Sequence, residues 1–359
     1  MSVARLYEGA GHIRPVALFR LAAGPIFFVH LWPFWQRLAS GEYFVDRFHV
    51  PLFIGMPTFD EPTYRTLLAL ALVSAFTLSI GLLSRLSAAY ACSCVAFHIA
   101  SDQLFFHHNR AFLMTLLFAL ALLPAGRDLS VDAWLARTRG RPLSPSYATW
   151  RLLLVRLLAC TPYLASGTSK LIDPDWWGGV VMTDRIHRYR GAAEARGVPI
   201  ELLDFLESPA FAAVWWKFIV LTELFIGVGL WSKRTRLGAI FMALCFHAFI
   251  ELTSTVSVFS YLGVCATLLW VTPHVQDRTL VLPRSARFQR RARWLRRLDW
   301  LARFRIAFED RAAPCLIDRN GERLEGRSAR WTVLSRLPLV APIAIPLLAL
   351  VRPNRGATR

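Results

Sequence analysis

Acidic residues are scarce in this chain: 24 Asp and Glu stand against 42 Lys and Arg in 359 residues, a formal net charge of +18. The six cysteines include no Cys-x-x-Cys pair, which argues against a zinc site or a disulfide framework. Cys92, Cys94, Cys160, Cys245 and Cys265 fall in apolar stretches, where a thiol behaves as a small apolar group, and only Cys315 lies beyond them. Neither a Gly-rich phosphate loop nor a Gly-x-Ser-x-Gly elbow occurs, so phosphate-cradling and serine-hydrolase chemistry have no motif to rest on. The positive charge comes without a DNA- or RNA-binding motif, and nucleic acid is not an expected partner. No metal is expected either.

What the chain has in abundance is apolar surface. Hydrophobic residues make up 55% and aromatic residues 13%, with a mean hydropathy of +0.40. That is too apolar for an ordinary soluble domain. Windows near the about 20 residues needed to cross a bilayer occur at roughly 15–37, 64–83, 86–106, 109–125, 148–171, 210–231, 236–253 and 255–272. The expectation is an all-α fold, a polytopic transmembrane helix bundle of about eight spans over residues 1–275, followed by a short basic cytoplasmic region over 276–359. The first apolar segment is long, holds Arg20 and is followed by no small-residue cleavage site, so it reads as a retained helix and not as a signal peptide.

Loop charge sets the expected orientation. With eight spans both termini share a side; loops on that side carry ten Lys and Arg before the tail is counted, those on the other side six. Residues 273–359 add 19 Lys and Arg against 7 acidic groups. Both termini are therefore expected in the cytoplasm, with the protein in the inner (cell) membrane and residues 172–209 facing outward. Between Arg284 and Arg305 basic residues alternate with Phe, Trp and Leu, a pattern suited to an anionic leaflet, so membrane lipid is the expected partner. Leu337–Val351 is only about fifteen residues long and holds Pro338, Pro342 and Pro346; it is expected to pack in a small cytoplasmic domain or at the interface, with a ninth span as the competing reading.

Ionisable residues at membrane depth are expensive and are functional candidates by default. Lys170 stands out, because an apolar stretch there runs into Tyr163-Leu-Ala-Ser-Gly-Thr-Ser-Lys170-Leu-Ile-Asp-Pro-Asp-Trp-Trp-Gly-Gly179. An ammonium at that place either snorkels to the headgroups or sits in a dry pocket, where a cation's proton is more easily lost and the amine can serve as a base. The eight-span topology brings His98, Asp102, the His107-His108-Asn109-Arg110 turn, Lys170, His247 and Glu251 to one membrane boundary, with Glu223 and Arg20 on other helices. Pairs such as His98 with Asp102, or His247 with Glu251, one helical turn apart, also serve simply to tie helices together.

These residues resemble a known family. Phe106-His-His-Asn-Arg-Ala-Phe-Leu113, Leu123-Pro124, Leu129-Ser-Val-Asp132, Tyr163 to Trp176 with Gly167 and Lys170-Leu171, Phe246-His247 and Phe259-Ser-Tyr261 are similar, in content and order, to the membrane domain of vitamin K-dependent γ-glutamyl carboxylase and its bacterial HTTM (horizontally transferred transmembrane) relatives. The likeness covers roughly residues 13–275. It implies that Lys170 is the base that starts oxygenation of a reduced, vitamin K-like quinone, with oxygen and carbon dioxide as co-reactants and a peptide or small molecule as substrate. His247 and Glu223 would orient or relay protons, and His108 and Arg110 would complete the catalytic set. Asn109, Trp176, Trp177 and Tyr261 would contact the quinone. Departures are visible: Arg110 stands where the carboxylase has a functional histidine, Ile250 where it has asparagine, and no large extramembrane domain follows. The tail, through Arg297–Ile306, Asp318-Arg-Asn-Gly321 and Leu334–Pro338, resembles a shortened DCC thiol-oxidoreductase-like module without its redox cysteines. Two classes of function follow: a quinol-oxygenating or carboxylating enzyme with an outward-facing pocket, or a non-enzymatic protein that binds a lipid, an isoprenoid quinone or a peptide in export, immunity or assembly.

Overall fold

The computed structural model describes residues 10–44, 50–56, 59–144, 146–256, 258–271, 278–299, 303–337, 340 and 344. The chain divides into two compact units, Met1–Trp270 and Val271–Arg359. In the first, strand β1 (Ala10–His12) leads into helices α1 (Arg14–Ala39), α2 (Glu61–Ile80), α3 (Ser84–Ser101), α4 (His108–Leu122) and α5 (Val131–Thr138). Strand β2 (Ser146–Ala148) pairs antiparallel with β1. Then follow α6 (Thr149–Ile172), α7 (Pro174–Trp177), α8 (Val180–Ala195), α9 (Ile200–Glu207), α10 (Pro209–Gly229), α11 (Arg236–Thr253) and α12 (Phe259–Ala266).

Each apolar window holds a helix, as it must if no water is there to bind the backbone. Five of them, α1, α2, α6, α10 and α11, are long and apolar enough to cross a membrane. Helix α4 and the stretch Phe259–Trp270 are apolar but shorter; at about 1.5 Å per residue neither covers a hydrocarbon layer of about 30 Å by itself. Helix α3 has the length but dilutes its apolar residues with Arg85 and with Ser, Tyr and His. Residues 172–209, expected as a loop, hold three further helices, α7 to α9.

The outer faces are greasy. On α10 the exposed residues Val214, Phe218, Leu221, Phe225 and Val228 recur at alternating steps of four and three, and on α11 Leu237, Phe241 and Leu244 do the same. In water such stripes would be a liability; against acyl chains they need no cover. Inside, α1 buries Phe19, Phe27 and Leu31 completely, together with Arg20. The Arg20 guanidinium donates to the carbonyls of Leu78, Ser79 and Leu129. Two of these lie at the C-terminal end of α2, where carbonyls lack helix partners and the dipole favours a cation. Gly81 ends that helix in the left-handed region at φ +71°, and a Cβ there would strike the Arg20 guanidinium.

The second unit departs from the all-helical expectation. Strands β3 (Arg278–Pro283), β4 (Phe304–Glu309), β5 (Cys315–Ile317) and β6 (Arg323–Glu325) form one sheet in the order β4-β3-β5-β6, with helices α13 (Ala286–Leu298) and α14 (Gly326–Leu334). β3 and β4 run parallel, joined through α13; β5 and β6 add antiparallel. Helix α13 turns Phe288, Ala292, Leu295 and Leu298 toward Leu280, Leu282, Phe304 and Leu316, so the apolar stripe expected to lie on lipid packs against its own sheet. Its arginines stay exposed. Of Leu337–Val351, only Leu337, Val340 and Ala344 are among the described residues; Leu337 is in this core and Val340 packs against it.

Candidate functional site

Helices α6 and α10 approach closely because glycines lie between them. A Cβ on Gly167 would meet Leu224 at 2.9 Å, and one on Gly227 would meet Leu164 at 2.5 Å. Small residues at a membrane helix interface let backbones close in this way. The closeness brings Lys170 Nζ to 2.7 Å from Glu223 Oε2, with side chains only 14% and 4% exposed. Ser166 Oγ, one turn before Lys170, donates to the same carboxylate at 3.1 Å. The ammonium also lies 4.5 Å from the centre of the Trp176 ring, a cation–π contact. The spacing Gly-x-x-Lys thus has a physical sense: the glycine admits the partner helix and the lysine, one turn on, meets its carboxylate.

This ion pair borders a cavity of about 740 Å³. Leu158, Ile219, Phe246, Phe249 and Phe259 furnish apolar wall, while His107, His108, Asn109, Lys170, Arg185 and Glu223 bring polar groups to it. Pro162 also lines it. Lacking an N–H, Pro162 leaves the Leu158 carbonyl without its helix partner beside the cavity. Volume and lining suit an organic ligand with an apolar body and a few polar atoms. Among the described residues no cluster of His, Cys, Asp or Glu is arranged to hold a metal ion.

The expected site residues divide. Lys170, His108, Glu223, Asn109 and Trp176 line the cavity together. Asn109 is held by a bond from Nδ2 to the Val256 carbonyl at 2.7 Å. Arg110 is placed elsewhere, beside a smaller hollow with Leu104 and Phe106, its guanidinium 5.8 Å from the Phe34 ring centre. His247 is buried behind the wall: Nε2 is 2.6 Å from the Tyr163 hydroxyl, and the ring rests on the backbone of Gly263, where a Cβ would clash with it. Trp177 packs on Trp216 and donates its indole N–H to the Leu171 carbonyl. Tyr261 donates to Glu251 at 3.2 Å on an exposed face. Arg110, His247, Trp177 and Tyr261 therefore do not line the cavity with Lys170. His98 and Asp102 also point apart, His98 to the Tyr64 hydroxyl and Asp102 accepting from the backbone N–H groups of Val50 and Leu104.

The HTTM domain family model matches residues 11–274. The chain belongs to the HTTM family. No curated protein and no solved structure matches it. Within this HTTM unit the motif Leu129-Ser-Val-Asp132 is structural: the Leu129 carbonyl accepts from Arg20, Ser130 caps α5 through the Ala133 N–H, and Asp132 accepts from the Leu83 and Ser84 N–H groups at the start of α3. Sequence reasoning overlooked Arg185 and Ser254, both on the HTTM cavity wall and joined by a 3.2 Å hydrogen bond. The available signal was weak. Arg185 stands beside the buried Met182 and Ile186 of α8, in a stretch whose other arginines point to solvent and acidic neighbours.

Proposed function

We propose that this HTTM protein binds a lipid-soluble amphiphile in the α6–α10 cavity and that the Lys170–Glu223 pair handles its proton. The observation that carries the reading is a lysine paired with a carboxylate out of bulk water, on the border of a largely apolar cavity. By family resemblance the amphiphile is a reduced quinone, which when bound supplies, with oxygen and carbon dioxide, the oxygenation and strong base that carboxylation requires. The aromatic wall and the paired Lys170 and Glu223 fit a ring bearing hydroxyls. Across the 2.7 Å contact the ammonium proton can pass to the Glu223 carboxylate, leaving a neutral amine and a carboxylic acid. Lys170 Nζ then accepts a hydroxyl proton, returning to the ammonium form. Tyr163 and His247 hold α6 and α11 behind this face.

The test is oxygen-dependent consumption of a reduced naphthoquinone by wild type and Lys170→Arg in the same detergent, with both checked for a monodisperse folded peak. Arginine keeps the charge and does not deprotonate, so turnover is expected to vanish. Equal turnover in the two would remove Lys170 as the base. A second reading, binding without turnover, is favoured by Lys170 Nζ lying between Glu223 and Trp176, two contacts that favour an ammonium over a free amine; absence of turnover in both proteins, with a lipid or quinone found by native mass spectrometry, would select it. The same proposal places the protein in the inner membrane with eight crossings, both termini cytoplasmic and the cavity on the outer side. The second unit is proposed as a DCC-like remnant without redox function, its one cysteine, Cys315, being buried in β5.

A further inference from the structure

Of the four arginines in the segment between α6 and α10, three have their charge or hydrogen bonds engaged at the surface. Arg188 pairs with Asp184, Arg190 with Glu194, Asp204 and Glu207, and Arg196 donates to the Ser254 carbonyl. Arg185 differs. It lines the cavity, its Nε donates to the Ser254 hydroxyl, and it forms no ion pair among the described residues. Glu223 is the one carboxylate among the described lining residues, and Lys170 holds it at 2.7 Å. The cavity wall therefore carries two basic side chains and one carboxylate around a space of about 740 Å³, and among the described residues Arg185 has no carboxylate of its own. Arg185 is half-buried beside that wall, and a planar guanidinium matches two oxygens of one acid group. A free inorganic anion would satisfy the charge and leave the apolar volume unfilled.

We infer that this cavity also takes an acidic amphiphile, a single carboxylate or phosphate monoester on an apolar chain, and that Arg185, steadied by Ser254, is the residue that selects the acid. This rests on the cavity being the ligand site, not on the quinol chemistry. The test uses the full chain in a nonionic detergent and 9,10-dibromostearic acid against its methyl ester, two quenchers of tryptophan that share one chain and differ at the head group, one charged and one neutral. The share of quenching lost in Trp176→Phe reports the cavity. The acid is expected to bind wild type at least about tenfold more tightly than the ester, as a charge-assisted contact warrants. Arg185→Gln is expected to bring that ratio to about one and Arg185→Lys to keep part of it, both variants unfolding at the wild-type temperature. Dodecanoate and dodecyl phosphate, as competitors, then distinguish a fatty acid from a phosphorylated lipid; stronger displacement by either supports an acid head group and names its source. Equal binding of acid and ester to wild type, or a preference that survives in Arg185→Gln, overturns the inference while leaving the cavity reading in place. No Trp176-dependent quenching by either chain removes both.

Discussion

A buried ion pair is a poor source of net stability but a costly thing to break. Lys170→Met or Glu223→Leu each strands a charge behind apolar walls, with an expected loss of about 3–5 kcal/mol, whereas the double variant should recover most of it. Denaturant unfolding of the three variants in one detergent measures this; a double variant as unstable as the sum of the singles would show that the two groups are not coupled. His107, in the turn before α4, makes a second point. Its Nδ1 accepts from the Asn109 N–H, and burial first, then His108, Arg110 and Arg185, hold its pKa below the usual histidine value. The folded state therefore binds fewer protons than the unfolded one. The contribution of His107 is complete above the ordinary value of about 6.5 and is lost as pH falls through it toward the lowered one. The protection of the Asn109 and Arg110 amides, measured against their intrinsic exchange rates, should fall between pH 7.5 and 5, and His107→Asn, a cap acceptor that does not titrate, should abolish the change. Unchanged protection in wild type would remove His107 as the sensitive group. At this scale Lys170 was legible because a lone cation in apolar sequence is conspicuous. Glu223 was a candidate as well, but its pairing with Lys170 was not legible, since the two lie 53 positions apart.

Among the helices, close approach decides more than apolarity. Gly167→Ala forces Leu224 and α10 outward, at an expected cost of about 1–3 kcal/mol, and should also loosen the Lys170–Glu223 contact. Gly191, in α8 with open space around it, is the control: Gly191→Ala should leave stability unchanged or raise it by up to about 1 kcal/mol. Thermal unfolding of the pair reads the difference, and equal effects would mean that the α6–α10 contact is not tight. Apolar windows announced where helices lie, because a backbone without water must bond within its own segment. They did not announce α7 to α9, whose mixed faces read as loop. Helix α13 was seen as basic and amphipathic, but an apolar stripe at helical spacing looks the same whether lipid or a sheet covers it.

For the molecule as a whole, the proposed orientation makes a direct claim. Gly191→Cys, exposed on α8, should react with a membrane-impermeant maleimide in intact cells. Reaction only after the cells are opened would reverse the topology and turn the Arg185 face inward. Membrane residence and HTTM membership were determined by the sequence alone, because the bilayer's demand for apolar stretches is local and the family's motifs keep their order along the chain. The tertiary structure alone decided which polar residues meet. It joined Lys170 to Glu223 through the gap at Gly167, added Arg185 from a helix outside the apolar windows, turned His247 to Tyr163, and folded the basic tail onto a sheet. Such meetings depend on how helices rotate and how near their backbones come, quantities set by packing between distant segments and written in no single stretch of sequence.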